Sequence, residues 1–230
     1  MRTFQLLAVA AGLATCVASA QAVPVSFTPL TGVTGGTLAA TGVYRANLSG
    51  PGLNSILSIT IGDNSAGLGG AAGQFSGFDL DAIKLSTTNC DTAACAQALA
   101  GISVFDFGAG TIFSPGVQRA PTDPKLFGTN VTGTGVDNVV ATLGVFDGEA
   151  TTAIPGAFGF LSLGDTGQIS FNLTAAVNTA GLFLYIGEVG DNGEVAAGNI
   201  RVSDNRVPLP GTLSLAAAGL LALASRRRKT

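Results

Sequence analysis

The chain is 230 residues long, has no histidine or tryptophan, and carries 14 acidic against 11 basic side chains. Without histidine, the usual Ser-His-Asp and Cys-His catalytic sites and a histidine-ligated zinc are excluded. Five of the cations lie at the two ends (Arg2, Arg226, Arg227, Arg228 and Lys229), so residues 23–206 hold six cations against all 14 acids, a net charge of about −8. An acidic body of that kind has no basic footprint for nucleic acid.

Met1-Arg2 is followed by an apolar run over residues 6–13 and by the small-residue sites Ala18-Ser19-Ala20 and Ala20-Gln21-Ala22. That order predicts a signal peptide over residues 1–22, cut by signal peptidase after Ala22 to leave Val23 as the new terminus. The apolar run is too short for a transmembrane anchor. A lipoprotein site at Cys16 is disfavoured by Thr15 before it.

About 185 residues remain, enough for one domain with a sizeable core. Short blocks of aliphatic and Phe residues recur through them, bounded by Gly, Asp, Asn or Pro. Ile56-Leu57-Ser58-Ile59-Thr60-Ile61 alternates as a strand should, with a turn at Gly62-Asp63-Asn64. The glycine-rich stretch 67–73 lacks the fingerprint of a phosphate loop and reads as a flexible loop. Phe78, Leu80 and Ala82 alternate, then Ile83 and Leu85 take the opposite parity, which predicts a bulge near Ala82.

Further strands are expected over residues 103–107, 139–146, 158–163, 168–173, 182–186 and 199–202. The one helical candidate is 91–99, with Asp91 as its cap. Residues 119–125 are the best linker candidate, yet they read as a long loop. The pattern predicts an all-β domain over residues 23–206: an antiparallel β-sandwich, jelly-roll-like, with one short helical turn. Cys16 leaves with the signal peptide. Cys90 and Cys95 are then expected to pair in an oxidising compartment and pin the helical turn to the sheet. A metal or redox role lacks a histidine partner and the two-residue redox spacing.

Carboxylates are the remaining chemistry. A glycosidase needs two of them in a cleft that stacks sugars on aromatics, and here Tyr44 and Tyr185 are the only tyrosines. Glu188 and Glu194 fall in a turn-rich loop, Glu149 stands apart, and no catalytic residue is assigned. Asp79 and Asp81, two apart on a strand, share one face and need a cation beside them, either Lys84 or Ca²⁺. If calcium binds, these two are its first ligands, by analogy with calcium on the rim of jelly-roll carbohydrate-binding modules.

The chain closes with Val207-Pro208-Leu209-Pro210, an uncharged apolar run over 212–224, and Arg226, Arg227, Arg228 and Lys229. The prolines stop strand or helix, the apolar run enters the membrane, and the cations hold the cytoplasmic side. About 17 residues give roughly 25 Å of helix, slightly short of a ~30 Å hydrocarbon core. This suits either a simple anchor or a transient span that is cut off.

The order of parts over 207–230 resembles the PEP-CTERM sorting signal of exopolysaccharide-producing Gram-negative bacteria, with Leu209 where the name-giving motif has Glu. The segments around Asp79-Leu80-Asp81 and Glu188–Glu194 also look like parts of other PEP-CTERM ectodomains. The resemblance implies processing by the membrane enzyme exosortase and a transient inner-membrane anchor. It also implies delivery to the cell surface or the extracellular matrix, where exopolysaccharide is a partner. The expected function is a non-enzymatic surface or matrix protein. The alternatives are a calcium-dependent, lectin-like glycan-binding module and, behind it, a secreted carboxylate-dependent hydrolase.

Overall fold

The computed structural model describes residues 22–36, 40–64, 71–148, 159–190 and 199–209. The signal peptide up to residue 21 and the tail from Pro210 to Thr230, with its basic cluster, lie outside the described residues, as do Glu149 and Glu194.

One antiparallel sheet has the order β1 (Ala22–Pro24), β10 (Asn199–Ser203), β4 (Ser55–Gly62), β8 (Gln168–Asn178) and β6 (Thr111–Ser114). The other runs β2 (Thr28–Gly35), β3 (Ala40–Asn47), β9 (Phe183–Val189), β5 (Asp79–Ser86) and β7 (Leu161–Ser162). From β3 onward every successive strand changes sheet. The result sets β1-β10-β4-β8 against β3-β9-β5-β7, the order of a jelly roll, with β6 and β2 added at the edges. The expected all-β sandwich is what forms.

Alternation explains which face meets which. On β4, Ile59 and Ile61 oppose Phe171 and Ile169 of β8 and enter the core, while Thr60 and Ser170 turn outward and share a 2.8 Å hydroxyl hydrogen bond. Tyr44, Ile186, Leu80, Ile83 and Leu85 close the core from the second sheet. Each fully buried aliphatic side chain contributes about 1.5–3 kcal/mol. The register of β5 against β9 shifts between Leu80 and Ile83, where the change of parity at Ala82 predicts a bulge. The bulge lets Leu80 and Ile83 both face inward.

The outer face of the second sheet is also covered. Helix α1 (Ala93–Ala98) and Phe146 lie over Val43, Ala82 and Tyr185 in a second apolar cluster. This is why every residue of β5 is buried. Both α1 and Phe146 belong to connections between strands, so the sandwich has a third, partial layer.

Several expectations fail. Residues 103–107 form no strand: Phe105 and Phe107 stack at 5.6 Å and both meet Phe171 edge-on. Their two-residue period is a packing period without a ladder. Residues 139–146 are not a strand either. Asp137 caps the short helix α2 (Asn138–Ala141) by accepting the Val139 N–H, and Thr142 then turns left-handed at φ 48°. The helical turn at 91–99 starts later than expected, because Thr92 and not Asp91 is its cap, accepting the Cys95 N–H at 3.2 Å. Asp91 instead pairs with Arg45 at 2.7 Å. The linker candidate 119–125 is a loop of the same domain, joined to it through the Arg119 carbonyl and the Gly73 N–H at 2.8 Å.

Candidate functional site

Three places hold the sequence-predicted residues. The first is the disulfide loop. Cys90 and Cys95 are bonded, with Cα atoms 5.6 Å apart. The loop is fixed to the sheet from two sides. The buried Tyr185 hydroxyl accepts the Cys90 N–H and donates to the Thr88 carbonyl, and Arg45 donates to the Cys90 carbonyl at 2.6 Å. Burial raises the Tyr185 pKa above its ordinary value.

The second is the acidic strand β5. Asp79 and Asp81 are both buried, and each has donors from this chain. Ser162 of β7 donates its hydroxyl to Asp79 at 2.5 Å. Asp81 accepts the main-chain N–H groups of Gly148 at 2.7 Å and Asp147 at 3.3 Å. Its pKa is pushed up to about 7, chiefly by burial, with the Asp147 charge adding to the rise and Thr41 opposing it. Thr41 is close enough to act on Asp81, yet Oδ2 of Asp81 and Oγ1 of Thr41 meet no partner in hydrogen-bond geometry. A carboxyl in that setting favours its proton.

Lys84 does not sit between the two carboxylates. Its ammonium donates to the carbonyls of Gln97 at 3.0 Å and Leu99 at 2.8 Å, closing the C-terminal end of α1, and lies 5.0 Å from the centre of the Phe146 ring. Burial lowers its pKa, and the charges of Asp81 and Asp147 oppose that. Among the described residues no group of three or more His, Cys, Asp or Glu is placed to hold a metal ion. Calcium takes six to eight oxygens, and one oxygen of each carboxylate already accepts hydrogen bonds from this chain, Asp79 from Ser162 and Asp81 from Asp147 and Gly148. The donor set fits a structural carboxyl network better than a calcium shell. Glu188 is fully buried on β9, opposite Leu80 and Gly42.

The third is the root of the tail. Past β10 the chain turns back along β8. Arg206 donates to the carbonyls of Leu173 at 2.9 Å and Thr174 at 3.0 Å. The side-chain amide of Asn172 then takes both main-chain groups of Val207: Oδ1 accepts the N–H at 2.7 Å, and Nδ2 donates to the carbonyl at 2.9 Å. Val207, Pro208 and Leu209 line a groove of about 390 Å³ together with Asp106 and Ala109. Sequence reasoning missed Asn172. Its only signal was an amide side chain inside a strand whose other residues between Gln168 and Asn178 are apolar or carry a hydroxyl.

A separate polar groove of about 510 Å³ runs beside the disulfide loop, lined by Arg45, Asn47, Asn89 and Phe183 among others. No helix among the described residues is long and apolar enough to cross a membrane.

The family model of the PEP-CTERM protein-sorting motif matches residues 206–229. No curated protein and no solved structure matches the chain. The motif is that of an exported substrate of exosortase, held at the membrane by its tail and then processed.

Proposed function

From the PEP-CTERM sorting motif that this chain carries over its last residues, we propose that it is a non-enzymatic protein of the cell surface or extracellular matrix, placed there by export and exosortase processing. The observation that carries the reading is the tail itself: a proline-rich stretch, an apolar run and four cations directly after an acidic sandwich. The rest of the chain supports it. A disulfide suits an oxidising compartment. The domain is acidic and free of histidine, and a fully buried Glu188 is a poor candidate for a solvent-facing acid or base. Exopolysaccharide is the partner expected of such a protein.

The first processing step has two candidate sites. β1 begins at Ala22, paired with Ser203. A cut after Ala20 leaves that strand whole, whereas the cut expected after Ala22 removes its first residue. Expression with and without exosortase tests the reading. The C-terminal mass is expected to differ between the two strains, and an identical intact tail in both refutes it.

One observation favours a second reading as a glycan-binding module. The polar groove beside the disulfide loop offers amides from Asn47 and Asn89 with the ring of Phe183, a combination that suits sugar hydroxyls and a sugar face. A glycan array probed with and without Ca²⁺ separates the two readings, and absence of signal in both conditions removes the second.

A further inference from the structure

We infer that Asn172 is a positioning residue for processing: it docks the start of the sorting motif onto β8, and exosortase must displace it to reach its substrate. This rests on the exosortase reading above and adds to it a competing contact within the substrate itself.

The dock arises from an irregularity in β8. Ser58 pairs with Asn172 and Ile56 with Val177, so residues 173–176 of β8 fall between two paired positions while β4 supplies only Leu57. The carbonyls of Leu173 and Thr174 lie in that stretch, and the Arg206 guanidinium collects both. The amide of Asn172 does for Val207 what a neighbouring strand would do, giving one donor and one acceptor to the same residue.

That residue matters because of the prolines on either side of Leu209. Pro208 and Pro210 have no N–H. Within Val207-Pro208-Leu209-Pro210, only Val207 and Leu209 can donate a main-chain hydrogen bond to an enzyme that reads an extended segment by strand addition. Asn172 already holds both main-chain groups of Val207. The start of the motif is therefore held against β8, with the main-chain groups of Val207 already occupied. Leu209 lines the same groove as Asp106. A Glu at position 209 would bring a second carboxylate into that groove, so Leu209 suits this dock where the name-giving residue would not.

The test uses the full chain in cells that hold exosortase. After a pulse of synthesis, loss of the C-terminal segment is followed by mass or by a tail epitope. Asn172→Ala is expected to lose its tail about tenfold faster than the wild type, the effect of removing two hydrogen bonds from a competing state. Asn172→Asp, which keeps the acceptor for Val207 N–H and loses the donor to its carbonyl, is expected to fall between them. An unchanged or slower rate in Asn172→Ala, with the wild type processed normally, overturns the dock. Failure of the wild type to lose its tail overturns the exosortase reading and the gating role with it.

Amide exchange on the tail-bearing chain in detergent guards against a folding defect. The Val207 N–H is expected to be protected in the wild type and to exchange faster in Asn172→Ala, while β4 and β9 stay protected in both. An unprotected Val207 N–H in the wild type refutes the dock.

Discussion

The hydroxyl of Tyr185 and the main-chain N–H of Cys90 meet at 2.9 Å, joining the second sheet to the disulfide loop across 95 residues of sequence. The same hydroxyl donates to the Thr88 carbonyl at 2.6 Å, so one buried oxygen serves two main-chain groups. Tyr185→Phe keeps the ring and leaves both groups without that partner. The expected cost is about 1–3 kcal/mol, read as a melting temperature lower by several degrees in thermal denaturation. An unchanged melting temperature would mean that the loop is held by Arg45 and the disulfide alone.

The disulfide closes a loop with a sequence separation of 5. Loop-closure entropy for so short a ring is worth about 2 kcal/mol. The double variant Cys90→Ser, Cys95→Ser is expected to fold, to melt at a lower temperature, and to lose amide protection first in α1. Equal loss across β4 and β9 would contradict a local role for the bond.

Asp81 makes stability depend on pH in a direction opposite to that of a salt-bridged carboxylate. Its pKa is about 7 in the folded chain, against 3.8 for an ordinary aspartate. Between these values the folded chain binds one proton more than the unfolded chain, so stability is greatest below about pH 4 for this group and falls as pH rises through about 7. The full effect is of the order of 4 kcal/mol. The raised pKa of Asp147, also due to burial, acts in the same direction. Urea denaturation from pH 5 to pH 8 is expected to show a falling midpoint. Asp81→Asn should flatten that slope and raise stability at pH 8. An undiminished slope in Asp81→Asn would place the titrating group elsewhere.

Calcium is expected to leave the domain unaffected. One oxygen of each carboxylate, Asp79 and Asp81, accepts hydrogen bonds from Ser162 or from Asp147 and Gly148, and a cation would compete with these contacts. Calorimetric titration of the purified domain should give no heat of binding, with the same melting temperature in millimolar Ca²⁺ and in chelator. Binding that disappears in Asp79→Asn would instead support calcium at this site.

The parts of the fold that could be read from sequence are those where one face is apolar and the other is not. Ile59 and Ile61 alternate with Ser58 and Thr60 because the outer face of β4 carries small polar side chains, and the register follows from that. The bulge in β5 was legible for the same reason, since a change of parity at Ala82 has few other causes. β3 escaped notice because both of its faces are covered. Val43 points to the α1 side and Tyr44 to the core, while Gly42 and Arg45 interrupt any simple period. At 139–146 the apolar residues suggested a strand, but the cap formed by Asp137 decided for a helix.

The site was legible only in part. The tail is a linear signal, so its order of residues carries its meaning without a fold. The contact between Asn172 and Val207 spans 35 residues and depends on the slip of β8 against β4, which no local pattern encodes. The place of Lys84 was equally hidden. Two acids, Asp79 and Asp81, precede it on the same strand, yet its ammonium turns to the end of α1.

Under the proposed function both ends of the chain are removed on the way out of the cell. Intact mass, with terminal peptide sequencing, of the protein recovered from the native cell surface or medium tests this directly. The expected product is a chain that begins just after Ala20 or Ala22 and ends before Arg226. A recovered protein that still carries Met1 and the Arg226–Lys229 cluster would contradict it.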